Sequence, residues 1–389
     1  MEPDFNIERL IRRDLVNFMA YSGATSPETL EGKTEVAVKD IIKLDANENP
    51  YGCSPRVKKA LRKYADFHVY TDDKQTKLRE LLAGYLNIDG RHIVAGSGSN
   101  QLIDLVIRLL VNPGDEVVSC TPTFGIYNFS TKLCGGSLVE VPRDENYTVN
   151  IRTLKAAVSN KTKLVCLANP NNPTGTLMPR DDILDLLDTG VPVLLDEAYY
   201  EFCGETLAAA IGHYENLMIL RTFSKWAGLA GLRIGYGLFP ENIADYIMRI
   251  KMPYNVNVAA MIAVKESLAD LDYLMENVKA IVLERERLFR ELQQFGWLQV
   301  FPSQANFILC KVMRGGARIF KQSLQQKGIL VRYFDNALLR NCIRISVGKP
   351  EQTDALLVAL REIAADEEKA ATEHSLEAML EEEEHNHEH

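Results

Sequence analysis

The stretch "KLVCLANPNNPTGTLMPRDDILDLLDTGVPVLLDEAYYEF", residues 163–202, decides the architecture. An apolar run (163–168) enters a polar loop, a helical segment (180–190) follows, and a second apolar run (191–196) ends on Asp196. Both apolar runs are short, β-rich and without clean alternation, which predicts strands buried on both faces. Strands separated by helices in this way predict a mostly parallel sheet, with ligands bound beyond the carboxyl ends of the strands.

The same rhythm runs outward from this stretch. Further strands are expected at 92–96, 115–120, 137–142, 217–222 and 232–239, and a helix at 99–111. Ser54 and Pro55 open a helix over 54–65, and 76–87 reads as another. Residues 5–30 are expected to mix a short amphipathic helix with turn residues. The segment 41–52, "IIKLDANENPYG", reads as a short strand running into a polar turn. Residues 242–295 are largely helical in pattern. Three strands (306–312, 328–334, 342–348) and a helix from Glu351 to about Ala364 then form an α+β unit. The fold class is therefore α/β: a mostly parallel central sheet with helices on both faces, plus a smaller α+β domain. The expected division is an N-terminal segment, 1–50, joining the small domain. A large domain follows over 51–285, then a small C-terminal domain over 286–364 and an acidic tail over 365–389, expected to be disordered.

The 389 residues are 46% hydrophobic and 25% charged, which places the chain among ordinary globular proteins. No apolar run reaches the length of a membrane span, and the N-terminus lacks a signal peptide's apolar stretch. A cytoplasmic location is the expectation. The net charge of -9 resides wholly in residues 364–389, leaving residues 1–363 with balanced charge. That balance argues against a nucleic-acid partner. The seven cysteines include no CxxC pair, and Cys120, Cys166, Cys310 and Cys342 sit in strand-like runs, so they read as buried apolar residues. No metal site is expected. His374, His385, His387 and His389 lie in the tail and read as solvated.

Five strand ends carry polar clusters. After 92–96 comes "SGSNQL", where a helix start and hydroxyls suit a phosphate, or Ser99 is a plain N-cap. After 115–120 comes "TPTFGIY", whose Phe124 either covers a planar ring or belongs to the core. After 163–168, "NPNNPTG" has a density of amides and prolines that holds Asn172 still as a donor. After 191–195, Asp196 closes an apolar strand, a costly place for a carboxylate without a cation, and Tyr199 lies three residues on. It either meets such a cation or caps a helix. After 217–221, "TFSKWAGLAGLR" offers Thr222, Ser224 and Arg233 to a phosphate dianion and Lys225 as a reactive amine. Phosphate, flat ring, ring oxygen, ring nitrogen and aldehyde together describe pyridoxal 5'-phosphate.

With these motifs, and with "LDANENPYG", "GILVRYF" and "CIRISVG", the chain from about residue 8 to 364 resembles the fold type I pyridoxal-phosphate aminotransferases. Within them it is most similar to the branch that acts on histidinol phosphate. The resemblance implies that Lys225 is the Schiff-base lysine and proton shuttle, and that Asp196 pairs with the ring nitrogen. Asn172 and Tyr199 would meet the ring oxygen, and Phe124 would stack on the ring. Ser99, Asn100, Thr222, Ser224 and Arg233 would bind the phosphate, joined by Tyr70 reaching across a homodimer. Arg344 and Arg332 would bind substrate anions. Three departures stand out: Thr71 in place of a proline, Asn100 and Gln101 where acidic residues are common, and Trp226 in place of alanine.

The implied reaction is transamination between histidinol phosphate and 2-oxoglutarate, giving imidazole acetol phosphate and glutamate, a step of histidine biosynthesis. The partners are small molecules, an amino donor and a 2-oxo acid acceptor, with no membrane involved. An aromatic-amino-acid aminotransferase and a threonine-phosphate decarboxylase of the same fold are the nearest alternatives. A non-catalytic cofactor-binding regulator is the remote one.

Overall fold

The computed structural model describes residues 6–365, except 22, 24, 25, 31, 33 and 35. The acidic tail and its four histidines therefore lie outside the described residues.

Twelve strands are seen among the described residues: β1 (Ile42–Leu44), β2 (Ile93–Gly96), β3 (Glu116–Thr121), β4 (Ser137–Pro142), β5 (Thr162–Ala168), β6 (Val193–Asp196), β7 (Leu217–Thr222), β8 (Gly235–Leu238), β9 (Leu298–Val300), β10 (Phe307–Val312), β11 (Ile329–Tyr333) and β12 (Cys342–Ser346). The helices are α1 (Pro55–Lys63), α2 (Thr76–Leu86), α3 (Ser99–Leu110), α4 (Ile126–Leu133), α5 (Ile151–Ala156), α6 (Arg180–Leu187), α7 (Tyr200–Cys203), α8 (Glu241–Ile250), α9 (Val258–Leu268), α10 (Leu271–Leu292) and α11 (Ala317–Gln326), followed by a helix over 350–365. Chain contacts divide the protein into two units. One holds the described residues of Met1–Gly23 with Tyr51–Ala280 and Ser303–Asn306; the other holds those of Ala24–Pro50, Ile281–Pro302 and Phe307–His389.

The first unit is built on a seven-stranded sheet in the order β2-β8-β7-β6-β5-β3-β4. β3, β4, β5, β6 and β7 are mutually parallel, and β8 is antiparallel to both β7 and β2. All of β6 and β7 is buried, as the unalternating sequence of these strands requires. The core beside the sheet gathers Val94, Ile103, Val106, Leu164, Leu194, Leu220 and Phe239. Each such side chain contributes about 1.5–3 kcal/mol on full burial. Trp226 is fully buried, stacked on Tyr85 (centroids 6.3 Å apart) and tilted against Phe223 (5.4 Å).

The second unit contains a five-stranded sheet, β1-β11-β12-β10-β9. β1 runs parallel to β11 and the other pairs are antiparallel. Its tryptophan, Trp297, stacks on Phe320 with centroids 4.4 Å apart.

Two expectations change. Among the described residues of 5–30, Ile7–Leu10, Arg13–Leu15 and Pro27–Leu30 form short 3-10 turns, where an amphipathic helix was expected. Ile7 and Leu10 there are exposed, and a short helix with no buried apolar face has little to stabilise it. At α3, Gly98 is the N-cap and Ser99 the first helical residue. Gly98 has φ +78°, a conformation that a side chain disfavours.

Candidate functional site

The register of the large sheet brings the polar clusters to one edge. β2, β3, β5, β6 and β7 all end there, and β8 begins there. Gly235 pairs with Gly96 on one side and Thr222 on the other. Ala168 pairs with Asp196, and Asp196 with Leu220. Five loops thus meet in one row, with side chains from each.

The α3 end forms an anion cradle. Ser99, Thr222 and Ser224 are buried, and the Thr222 hydroxyl donates to Ser224 Oγ at 2.9 Å. The Ser224 N–H donates back to Thr222 Oγ1 at 3.1 Å. Arg233 sits just before β8 with its guanidinium against Gly98; a Cβ on Gly98 would collide with it. A Cβ on Gly235 would likewise fall 2.5 Å from the Ser99 backbone nitrogen. Glycine at both positions lets the arginine, the hydroxyls and the positive end of α3 converge. Asn100 lies in the first turn of α3. Gln101, where an acid is common, accepts from the Ser97 N–H (2.7 Å) and from Asn255 Nδ2 (2.8 Å). A neutral amide there ties the loop down without placing negative charge beside the cradle.

Asp196 ends β6 and is 4% exposed. Its Oδ2 accepts from the Tyr127 hydroxyl at 2.9 Å and its Oδ1 from the Ala198 N–H at 3.1 Å. Burial pushes its carboxyl up to about 6, against the pull of those two donors and of the Lys225 charge. The neighbouring Glu197 is turned the other way and forms a buried pair with Arg221 at 3.0 Å. That pair anchors β6 to β7 behind the site, so the backbone presenting Asp196 is fixed from both faces.

The loop after β5 uses its amides unequally. Asn169 Oδ1 accepts from the Met178 N–H (2.7 Å), and Asn171 bridges Thr123, Pro122 O and Thr174. Both are internal pins, and Asn171 also ties this loop to the one after β3. Asn172 is half-buried between Asn171 and Pro173, and Tyr199 is 5% exposed after β6. Phe124 meets Tyr127 edge to face at 5.9 Å and Tyr21 at 6.0 Å. Lys225 follows Ser224 and is half-buried, its charge felt at Asp196.

These residues fit pyridoxal 5'-phosphate. The glycine-lined cradle matches a phosphate dianion, and a carboxyl buried at a strand end matches a protonated ring nitrogen. Sequence reasoning missed Tyr127 and Asn171, and it noted Gln101 only as a departure without its role. Tyr127 follows Phe124 by one helical turn, and that spacing was its only signal.

Tyr70 stands apart from this group. It is 80% exposed and stacks on Tyr254 at 4.5 Å. Thr71, in place of proline, donates to Val256 O at 2.9 Å and fixes the chain there.

Arg332 and Arg344 lie in the second unit, directly opposite on β11 and β12. Arg344 is 7% exposed, donates to Asp45 O at 2.7 Å, and lies 5.2 Å from the Phe307 ring centre. Both guanidiniums lie within 6 Å of the Phe334 ring, at 5.9 and 5.8 Å. Asn47 holds the turn after β1 through reciprocal bonds with Ser346. The motif "LDANENPYG" thus serves the arginine strand.

Among the described residues, no helix is long and apolar enough to cross a membrane, and no group of His, Cys, Asp or Glu is arranged for a metal.

Residues 39–360 match the family model described as aminotransferase class I and II. A histidinol-phosphate aminotransferase of Dehalococcoides mccartyi is 53% identical over 359 residues, 92% of this chain and 99% of that protein. One from Roseiflexus castenholzii is 46% identical over 92% of this chain and 99% of its own. The crystal structure of histidinol-phosphate aminotransferase from Sinorhizobium meliloti, in complex with pyridoxal-5'-phosphate, superimposes with a TM-score of 0.84 at 31% identity. It covers 92% of this chain and 98% of that one.

Proposed function

Because this chain belongs to the class I and II aminotransferases, we propose that it transfers the amino group of histidinol phosphate to 2-oxoglutarate, with pyridoxal 5'-phosphate as cofactor. The products are imidazole acetol phosphate and glutamate, a step of histidine biosynthesis. One observation carries the reading: the strand-end set stands complete in a chain 53% identical, over 92% of its length, to an enzyme of that name.

When bound, the cofactor supplies an aldehyde for the amino group and a ring that withdraws electrons from the donor carbon. The protein does the rest. Ser99, Asn100, Thr222, Ser224 and Arg233 hold the phosphate. Asn172 and Tyr199 orient the ring oxygen, and Phe124 covers a ring face. Asp196 keeps the ring nitrogen protonated. Lys225 tethers the cofactor between turnovers and carries the proton away from, and back to, the reacting carbons. Arg344 and Arg332 take the phosphate of one substrate and the carboxylates of the other, since a guanidinium fork pairs with either.

The active form is a homodimer in this reading. Phe67, Val69, Tyr70, Tyr246, Met252 and Tyr254 are all exposed on the first unit, apolar side chains that a second copy would cover. Tyr70 then completes the phosphate site of the partner subunit. The seven cysteines are free, in keeping with a cytoplasmic enzyme.

The test is a side-by-side assay of histidinol phosphate, phenylalanine and threonine phosphate with 2-oxoglutarate. Preference for histidinol phosphate is expected. Preference for phenylalanine, or loss of carbon dioxide from threonine phosphate, would replace this substrate assignment with one of its rivals.

A further inference from the structure

Tyr127 is fully buried at the start of α4, one turn after Phe124. Its ring lies in the apolar core with Leu164, Cys166, Leu194 and Leu220. A phenylalanine would fill that volume. The hydroxyl needs another explanation, and its partner is Asp196 Oδ2 at 2.9 Å. The backbone around it is also fixed: the Thr131 hydroxyl donates to Tyr127 O at 2.7 Å.

We propose that Tyr127 is a positioning residue for the proposed reaction, its hydroxyl holding the Asp196 carboxylate as the fixed anion that the cofactor's ring nitrogen meets. This rests on the cofactor reading above. Two donors reach Asp196, one on each oxygen, so the carboxylate plane cannot turn without losing a bond. The backbone donor from Ala198 comes with the turn itself. The phenol is the part that a different side chain would remove.

The charged surroundings agree. Asp196 is faced by Tyr127 from α4, Cys166 from β5 and Lys225 from the loop after β7; Glu197, turned toward Arg221, acts on it only through its charge, and Tyr199 acts on the Tyr127 phenol. Burial and the nearby carboxylate hold the Tyr127 phenol well above its ordinary range, so it remains a donor throughout the working pH range. Donation to a buried carboxylate favours its ionised form and opposes the desolvation that pushes Asp196 upward.

The experiment is Tyr127→Phe in the holoenzyme, read by pH titration of the cofactor's visible absorption band. With the phenol gone, the Asp196 carboxylate is more basic and draws the proton from the ring nitrogen toward itself, the ring withdraws less charge, and the nitrogen of Lys225 keeps its proton to higher pH. The midpoint should move up by about 1 unit, the scale of one lost charge-assisted hydrogen bond. The kcat should fall by about 10- to 100-fold with KM nearly unchanged, because the substrate-binding groups are untouched. In an Asp196→Asn background the same change should cost less than about 2-fold, since coupled residues are not additive. An unmoved midpoint, or equal losses in both backgrounds, would overturn the proposal. Should Tyr127→Phe fail to fold, 3-fluorotyrosine at position 127 keeps the shape and acidifies the phenol. It should move the midpoint downward, and no movement would overturn the proposal. A wild-type protein without a titrating visible band would instead overturn the cofactor reading, and the role of Tyr127 with it.

Discussion

Arg332 and Arg344 face one another as a directly opposed pair on antiparallel strands of the second unit. Like charges so placed repel, and proteins tolerate the arrangement where an anion rewards it. Arg344 is buried against Phe307 and held by Asp45 O, so its position does not depend on substrate.

Arg344→Ala should raise KM for both histidinol phosphate and 2-oxoglutarate by about 100-fold, the cost of removing one fork from a charge-assisted pair. Arg344→Lys should recover only part of that, because an ammonium cannot make two parallel bonds. Steady-state kinetics with each substrate varied decides it. An effect confined to one substrate would limit Arg344 to that half-reaction.

The buried Asp196 makes stability depend on pH. In the cofactor-free protein its carboxyl titrates near 6, against 3.8 as the ordinary value, so the folded state holds a proton that the unfolded state has released. Its contribution is therefore full below the ordinary value and is lost as pH rises through about 6, by roughly 3 kcal/mol at most. Bound cofactor supplies the missing cation, so the gap in Tm between holo and cofactor-free protein should widen between pH 4 and 6, about the span of the two values. Asp196→Asn should flatten that dependence.

Glu201 offers a second, independent titration. It is buried in α7, neither carboxyl oxygen has a hydrogen-bond partner among the described residues, and burial raises its carboxyl to about 8. The folded state keeps the proton while the unfolded state loses it near 4.5, so the contribution of Glu201 falls as pH rises through about 8. Glu201→Gln should be nearly neutral for stability at pH 5 and stabilising by a few kcal/mol at pH 9, as approximate conditions on either side of that window. Urea unfolding at the two pH values reads this directly.

Tyr70 can be tested by mixing chains. Tyr70→Ala and Lys225→Ala proteins should each be impaired alone. If Tyr70 serves the neighbouring site, subunit exchange creates one site with both residues intact, and activity should rise on mixing. If it serves its own chain, both sites of the hybrid remain defective and mixing changes nothing.

The large sheet was legible because its strands are buried on both faces, and an unbroken apolar run ending in polar residues is hard to read otherwise. The cradle was legible because glycine, hydroxyl and arginine occur together at strand ends. The failures were of other kinds. β9 is three residues long and carries no pattern. The N-terminal segment has helical spacing, but Ile7 and Leu10 stay exposed, and it packs through single side chains such as Phe18 on Phe129 and Tyr21 on Phe124. Tyr127 sits at apolar helical spacing, so its ring was readable as core while its hydroxyl's partner, 69 residues away, was not. Trp226 was unexplained for the same reason: Tyr85, its stacking partner, is remote in sequence.

The aromatic stacks have a practical side. Each compact unit carries one tryptophan, Trp226 beside Lys225 and Trp297 against Phe320, and the chain has no others. Emission from a Trp297→Phe protein thus comes from the cofactor-binding unit alone, and emission from a Trp226→Phe protein from the arginine-bearing unit alone. The chain is wired with two intrinsic optical reporters, one for each half of its chemistry. Fluorescence during unfolding or cofactor uptake can therefore be assigned to a unit without adding a label.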